Sequence, residues 1–270
     1  MPDLRFLTLY FGLGALATIF ELISPARKLR YWALDAVVLD IAAWFFVMLV
    51  VNRYANFLRD HLMPLRFRPT QLIMSVPLWI RVGIYYVLGD MGSYWMHRMT
   101  HTKYLWRVHH FHHSITQMYW LSGVRDTVFQ QMFSNLPYLL WTPLIAGAPG
   151  EVFFWLTFVS VATNHWMHMN LTWRSSKWTS WIEWILVTPR THHIHHSSAP
   201  EHYNRNFGVV FSMWDHLFGT YQSPDTTKVT EVGAGTIDNP VQAAWKMAAI
   251  FDGEPTGFVR SRVRRLVPFL

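Results

Sequence analysis

Histidine is the residue type through which this chain could do chemistry, and its spacing says which chemistry. Tyr94 to His113 reads YWMHRMTHTKYLWRVHHFHH and carries His97, His101, His109, His112 and His113; HHIHH at 192–196 adds His192, His195 and His196. Of the 15 histidines, only His61 lies outside the span from His97 to His216. His97 and His101 are spaced i, i+4, which stacks them on one face of a helix. His109, His112 and His113 follow i, i+3, i+4, and His192, His195 and His196 repeat that geometry. Eight imidazoles in three one-faced clusters exceed what one metal needs. Imidazole suits iron, zinc, copper and nickel, so two metals fit better than one. Trp106, Val108, Phe111 and Ile194 are interleaved, which favours a half-buried placement over a solvent-facing histidine patch. His110 and His193 fall between the ligand positions and point elsewhere. The absence of cysteine excludes disulfides, thiolate-ligated haem, iron–sulfur ligation and a thiol nucleophile.

The elements that must position these boxes read as membrane helices. The chain has 270 residues, 51% hydrophobic and 14% charged, against about 25% charged in average proteins. There are 15 Trp and 19 Phe, as in the aromatic belts of lipid-embedded proteins. The net charge of +7 fits a basic face toward anionic headgroups better than a nucleic-acid partner. Phe6 to Phe20 is nearly all apolar and predicts a first membrane helix over residues 5–24, rather than a signal peptide. A second span is expected over 32–52, with Asp35 and Asp40 facing other helices or a headgroup. A third is expected over 71–92, running into the first box. Its Arg81 is a candidate to pair with Asp40 or to snorkel to an interface. Residues 53–70, broken by Pro64 and Pro69, read as an interfacial segment. Two shorter apolar stretches, 132–145 and 152–167, flank an Ala-Gly-Ala-Pro-Gly turn. They predict a helical hairpin that leaves the histidine side and returns to it. Toward the end, 240–251 reads as a short amphipathic helix and Arg260 to Arg265 as a basic segment on the membrane surface. Three crossings place the basic loop at 27–30, the boxes and the basic end on one side. By charge bias that side is the cytoplasm.

The set HxxxH at 97–101, HxxHH at 109–113 and HxxHH at 192–196 resembles the fatty acid hydroxylase and sterol desaturase superfamily. Its members are integral membrane oxygenases with a histidine-bound di-iron centre. The flanks are similar too: Asp90 through YWMHR, WRVHHFHHS, TPRTHHIHHSS, and NRNFGVVFSMWDHLFGTY after the third box. The resemblance runs from about Asp90 to Tyr221. The stretch from His168 onward is most similar to the alkylglycerol monooxygenase branch, whose members hydroxylate the carbon next to a glyceryl ether oxygen. The family places a ligand shortly after the helical hairpin, where His168 stands; His165, three residues earlier, is a further candidate. His202 and His216 read as outer or surface imidazoles. Asp90 and Asp215 are candidates to support the ligands, since a ligating imidazole commonly donates its other N–H to a carboxylate; Asn206 and Gly208 read as turn chemistry supporting the site. Asp90 lies two helical turns before His97. Asp126 is open to either a supporting or a structural role.

The resemblance implies an all-α integral membrane helical bundle with a histidine-rich di-metal site on the cytoplasmic side. Residues 1–270 form one domain: transmembrane helices and interfacial segment over 1–70, catalytic core over 71–221, and a surface tail over 222–270. It further implies two iron ions, with zinc as a substitute in a purified sample, O2 as co-substrate, and a membrane lipid as substrate. The sequence carries no haem, flavin or dinucleotide-binding signature. Electrons are therefore expected from a separate reductase, ferredoxin or cytochrome. The boxes are shared by hydroxylases and desaturases and do not separate them. A non-catalytic metal store or transporter would need a polar path through the spans, where only Arg81, Asp35 and Asp40 are scattered. A zinc hydrolase fits poorly, because catalytic zinc sites usually hold one ion on three protein ligands.

Overall fold

An unbroken apolar run between Arg5 and Glu21 produces α1 (Leu4–Ile23). At 1.5 Å per residue it is about 30 Å long, the thickness of a bilayer's hydrocarbon core. Tyr10, Gly14, Ala17 and Glu21 form its one buried stripe, while Leu16, Ile19, Phe20 and Leu22 stay exposed. The computed structural model describes residues 4–28, 37–45, 49, 53 and 71–234. Among the described residues, α1 is the one helix long and apolar enough to cross a membrane. The expectations for 54–70, 240–251 and 260–265 lie outside the described residues, as does Asp35.

Residues 37–45 are helical (α2) and bury Asp40, Ala43 and Trp44. The third expected span is not one helix. It divides into α3 (Gln71–Ser75) and α4 (Leu78–Thr100), with Pro77 at the N-cap of α4. Proline has no N–H to donate and disfavours helical geometry in the residue before it. The pairing of Arg81 with Asp40 does not form either. Arg81 donates to the carbonyls of Val76, Leu144 and Ala146 at 3.0–3.2 Å, which satisfies backbone left open at the helix break. Asp40 instead receives Nε and Nη2 of Arg125, each at 2.7 Å, and the hydroxyl of Tyr119.

α4 packs along α6 (Val128–Leu140). The approach is close enough that a Cβ on Gly89 would strike Tyr138, and one on Gly92 would strike Pro137. A 3-10 turn, Thr142–Ile145, leads to α7 (Gly150–His168). The two apolar stretches thus leave and return as expected, but α6 packs on α4 and α7 on α1 and α9 (Pro189–His195), where a hairpin of two helices packed on each other is expected. The chain leaves from Thr127, whose hydroxyl donates to Val108 of α5 (Trp106–His113), and returns at His168. α8 (Lys177–Ile185) and α9 are each opened by a reciprocal cap, Ser176 with Thr179 and Thr188 with Thr191. These caps satisfy donors that a helix start leaves open. α10 (Met213–Leu217) closes the described fold. The described residues contain no strand, only three isolated bridges. One apolar cluster joins Tyr10, Ala43, Trp44, Phe111 and Val124, tying α1 and α2 to the back of α5; another, Tyr94, Phe207 and Trp214, ties α4 to the loop after α9.

Candidate metal centre

Nine histidines from four helices converge in two groups. His97, His101, His109, His113 and His195 form the first, and His112, His168, His192 and His196 the second; within each, the ligand atoms lie within 4.8 Å of one another. Every ring is buried or nearly so. The two short boxes serve both groups. On α5, His109 and His113 face the first group and His112 the second. From α9 and its C-cap, His195 faces the first, and His192 and His196 the second. α4 supplies His97, with His101 at its C-cap, and α7 ends on His168. The groups adjoin: the rings of His113 and His196 are 4.5 Å apart, and those of His109 and His112 stack at 5.0 Å. Gly123 lies against His168, and a Cβ there would overlap the imidazole.

The outer nitrogens fix the tautomers. Nδ1 of His97 donates to the carbonyl of Phe207 at 2.8 Å, that of His168 to Asn164 at 2.7 Å, and that of His195 to Arg205 at 2.9 Å. Nδ1 of His109 donates to the amide oxygen of Gln130 at 2.7 Å. His112 Nδ1 lies 3.2 Å from both the Arg125 carbonyl and an Asp126 carboxylate oxygen. A carbonyl oxygen only accepts, so these rings carry hydrogen on Nδ1 and present a lone pair at Nε2. Burial disfavours a charged ring. It pushes His97 down to about 4 and drives His101, His109, His113, His168, His192, His195 and His196 well below the usual imidazole value. Neighbouring imidazoles add to the effect.

The inner nitrogens point at one another. Nε2 of His109 is 3.1 Å from Nε2 of both His97 and His113. In the second group, Nε2 of His168 is 3.3 Å from that of His112 and 3.2 Å from that of His192, which is 3.1 Å from that of His196. Nε2 of His101 and of His195 are buried and reached by no protein group. Converging buried lone pairs repel unless a cation sits between them. Imidazole nitrogens bound at about 2.0–2.1 Å to one ion stand roughly 2.9–3.4 Å from their neighbours, which is the spacing here. The residues therefore fit two metal ions.

His165 does not join either group. Its Nδ1 donates to the Trp120 carbonyl at 2.7 Å, and its ring packs against Tyr10 and Trp120. Asp90 and Asp215 also differ from the direct role expected of them. Asp90 accepts from the backbone of Val210 and Phe211 and from the Trp214 indole. Asp215 accepts from the backbone of Phe207 and Gly208 and from Thr220. Both carboxylates therefore hold the 207–214 loop, whose Phe207 carbonyl orients His97, and neither touches an imidazole. Burial pushes Asp215 up to about 6. Asn206, at φ +54°, donates to the carbonyls of Thr191 and Gln222 and ties the loop to α9. His193 faces away, with its Nδ1 2.8 Å from Arg27 Nη2. His202 bonds Ser197, and His216 stacks on Tyr221. Gln130 belongs to no motif; only its place one turn after the Thr127 N-cap puts it under His109.

Residues 82–220, just over half of the chain, match the family model described as fatty acid hydroxylase, and all nine converging histidines fall inside the match. The chain belongs to the fatty acid hydroxylase family. It is 32% identical over 163 residues to the ornithine lipid hydroxylase OlsE of Rhizobium tropici, covering 58% of this chain and 46% of that protein. It is 33% identical over 141 residues to the alkylglycerol monooxygenase of Danio rerio, covering 52% and 30% of the two chains. With the human alkylglycerol monooxygenase it shares 28% over 135 residues, 50% and 29%. The matches thus span less than half the length of these relatives. No solved structure matches.

Proposed function

We propose that this chain is a membrane-embedded, O2-dependent di-iron hydroxylase acting on an unactivated C–H bond of an acyl, ether-lipid or sterol-like substrate. The observation that carries the reading is the pair of adjoining groups of inward imidazole nitrogens, five and four, within the family region. The names of the relatives, a lipid hydroxylase and alkylglycerol monooxygenases, support a lipid substrate. Two iron ions, when bound, supply the reduction of O2 and the oxidation of the C–H bond. The first ion would be held by His97, His101, His109, His113 and His195, the second by His112, His168, His192 and His196. The rest is done by the chain. Gln130 and the carbonyls of Phe207, Arg125, Asn164 and Arg205 keep hydrogen on the outer nitrogens. Packing of Phe111, Ile194 and Phe207, each at most 2% exposed, excludes water from the back of the groups. Electrons would come from a separate reductase, ferredoxin or cytochrome. α1 anchors the chain in the bilayer, and the site faces the cytoplasm.

The test is purified, iron-loaded protein in lipid with a reductase under 18O2. The expected result is about two irons per chain and a lipid product carrying one labelled oxygen. A product with a new double bond and no added oxygen would instead establish a desaturase. Metal uptake into proteoliposomes without O2 consumption would overturn the enzymatic reading altogether.

A further inference from the structure

α8 turns its apolar side outward. Trp178, Trp181 and Trp184 are 79%, 61% and 52% exposed, joined by Ile182, Leu186 and, from α10, Leu217. Glu183 is the one buried side chain of the helix, and it faces Arg190 at the start of α9, 3.2 Å away. Three exposed indoles on nine residues are out of keeping with a water-facing surface, where large apolar groups are scattered singly. Indole is the side chain that gathers where water meets lipid, being apolar in body with one N–H. Arg174 and Lys177, both exposed, stand at the start of the same helix, as cations do beside anionic headgroups.

The position of α8 relative to α1 selects the occupant. Where α1 ends, Pro25 bridges Leu171, Ala26 N–H donates to the Asn170 carbonyl at 3.0 Å, and the Ser24 hydroxyl donates to the Thr172 carbonyl at 3.3 Å. α8 begins five residues after Thr172. Five residues span at most about 18 Å, so α8 starts within that distance of where α1 ends.

We propose that α8 lies flat in the lipid surface, with Trp178, Trp181 and Trp184 at the boundary between headgroups and acyl chains. This surface would fix the depth of the metal groups, because α9 comes three residues after α8. The inference rests on the reading of α1 as a membrane helix.

The cysteine-free chain suits site-directed spin labelling. The probes are Trp181→Cys and Trp178→Cys on α8, with Ile19→Cys on α1 as the lipid reference, in the full chain reconstituted into phosphatidylcholine and phosphatidylglycerol vesicles. Collision with O2 reports lipid, and collision with a water-soluble nickel chelate reports water. Both α8 labels are expected to favour O2, at a depth of about 5–10 Å below the headgroups. Labels on α8 in water with the label at 19 in lipid would overturn this inference and leave the membrane reading standing. All labels in water would remove both. Poor collision with either reagent, together with spin–spin broadening, would show α8 covered by a second copy of the chain and would equally overturn it.

Discussion

The two histidine groups look alike from inside and are supported differently from outside. The first draws on α4, α5 and α9, and its outer nitrogens rest on the amide of Gln130 and on the carbonyls of Phe207 and Arg205. That support comes from α6 and from the loop held by Asp90 and Asp215, all within the family region. The second draws on α5, α7 and α9, and the chain around it is held by carboxylates from the N-terminal helices. Glu21 of α1 accepts from the backbone N–H of Trp120 and Asn170, at 2.7 and 2.8 Å. Asp40 of α2 holds Arg125, whose carbonyl accepts from His112. Residues before 82 lie outside the family match, yet they brace half of the centre. α1 and α2 are therefore part of the scaffold of the second group.

Removing a ligand from either side should have the largest effect. His109→Ala and His112→Ala should each lower activity by more than about 100-fold, beyond the range usual for changes one layer out. Metal analysis should show His109→Ala emptying the first group and His112→Ala the second; equal loss from both would erase the distinction. Next is Asp40→Asn, which leaves Arg125 buried without its counter-charge. Breaking a buried pair costs about 3–5 kcal/mol, so the melting temperature should fall, and metal should leave the second group before the first. Gln130→Leu should weaken metal binding about 10–100-fold at the first group alone, as measured by competition with a chelator. Glu21→Gln keeps an acceptor and loses its charge. It should destabilise the fold by about 1–3 kcal/mol and loosen the second group, with calorimetry and metal retention as the readouts.

Acid sharpens the comparison least, since it acts on both groups. His97, His101, His109, His113, His168, His192, His195 and His196 have folded-state values below the unfolded 6.5, with His97 at about 4. The unfolded chain therefore binds more protons in that interval. Stability is complete above about pH 6.5 and declines as pH falls toward 4. A metal-free sample whose melting temperature is unchanged between pH 7 and pH 4.5 would contradict the burial that both groups require.

Much of the centre is legible in the sequence, because helical spacing is a local property. The three boxes, their one-faced geometry and the return of the chain to the histidine side at His168 follow from residue order alone. What separates His168 from His165 does not. Both stand at the end of α7; the His168 ring lies against Gly123, in a 3-10 turn more than forty positions away, while Nδ1 of His165 is taken by the Trp120 carbonyl. The partner of Asp40 is equally hidden. Arg81 and Arg125 are both arginines beside apolar stretches, and only the packing of α2 against the 119–125 segment decides between them. Asp90 and Asp215 are visible as carboxylates near the boxes. Their action through backbone amides depends on how the 207–214 loop folds back on α4, which no spacing encodes.

Each HxxHH run deals its rings to both groups, so the distance between the two seats is set by the pitch of two short helices. One residue inserted inside either run would rotate the remaining histidines of that run by about 100° and misdirect rings in both groups at once. Neither half of the centre can be rebuilt while the other is left as it was.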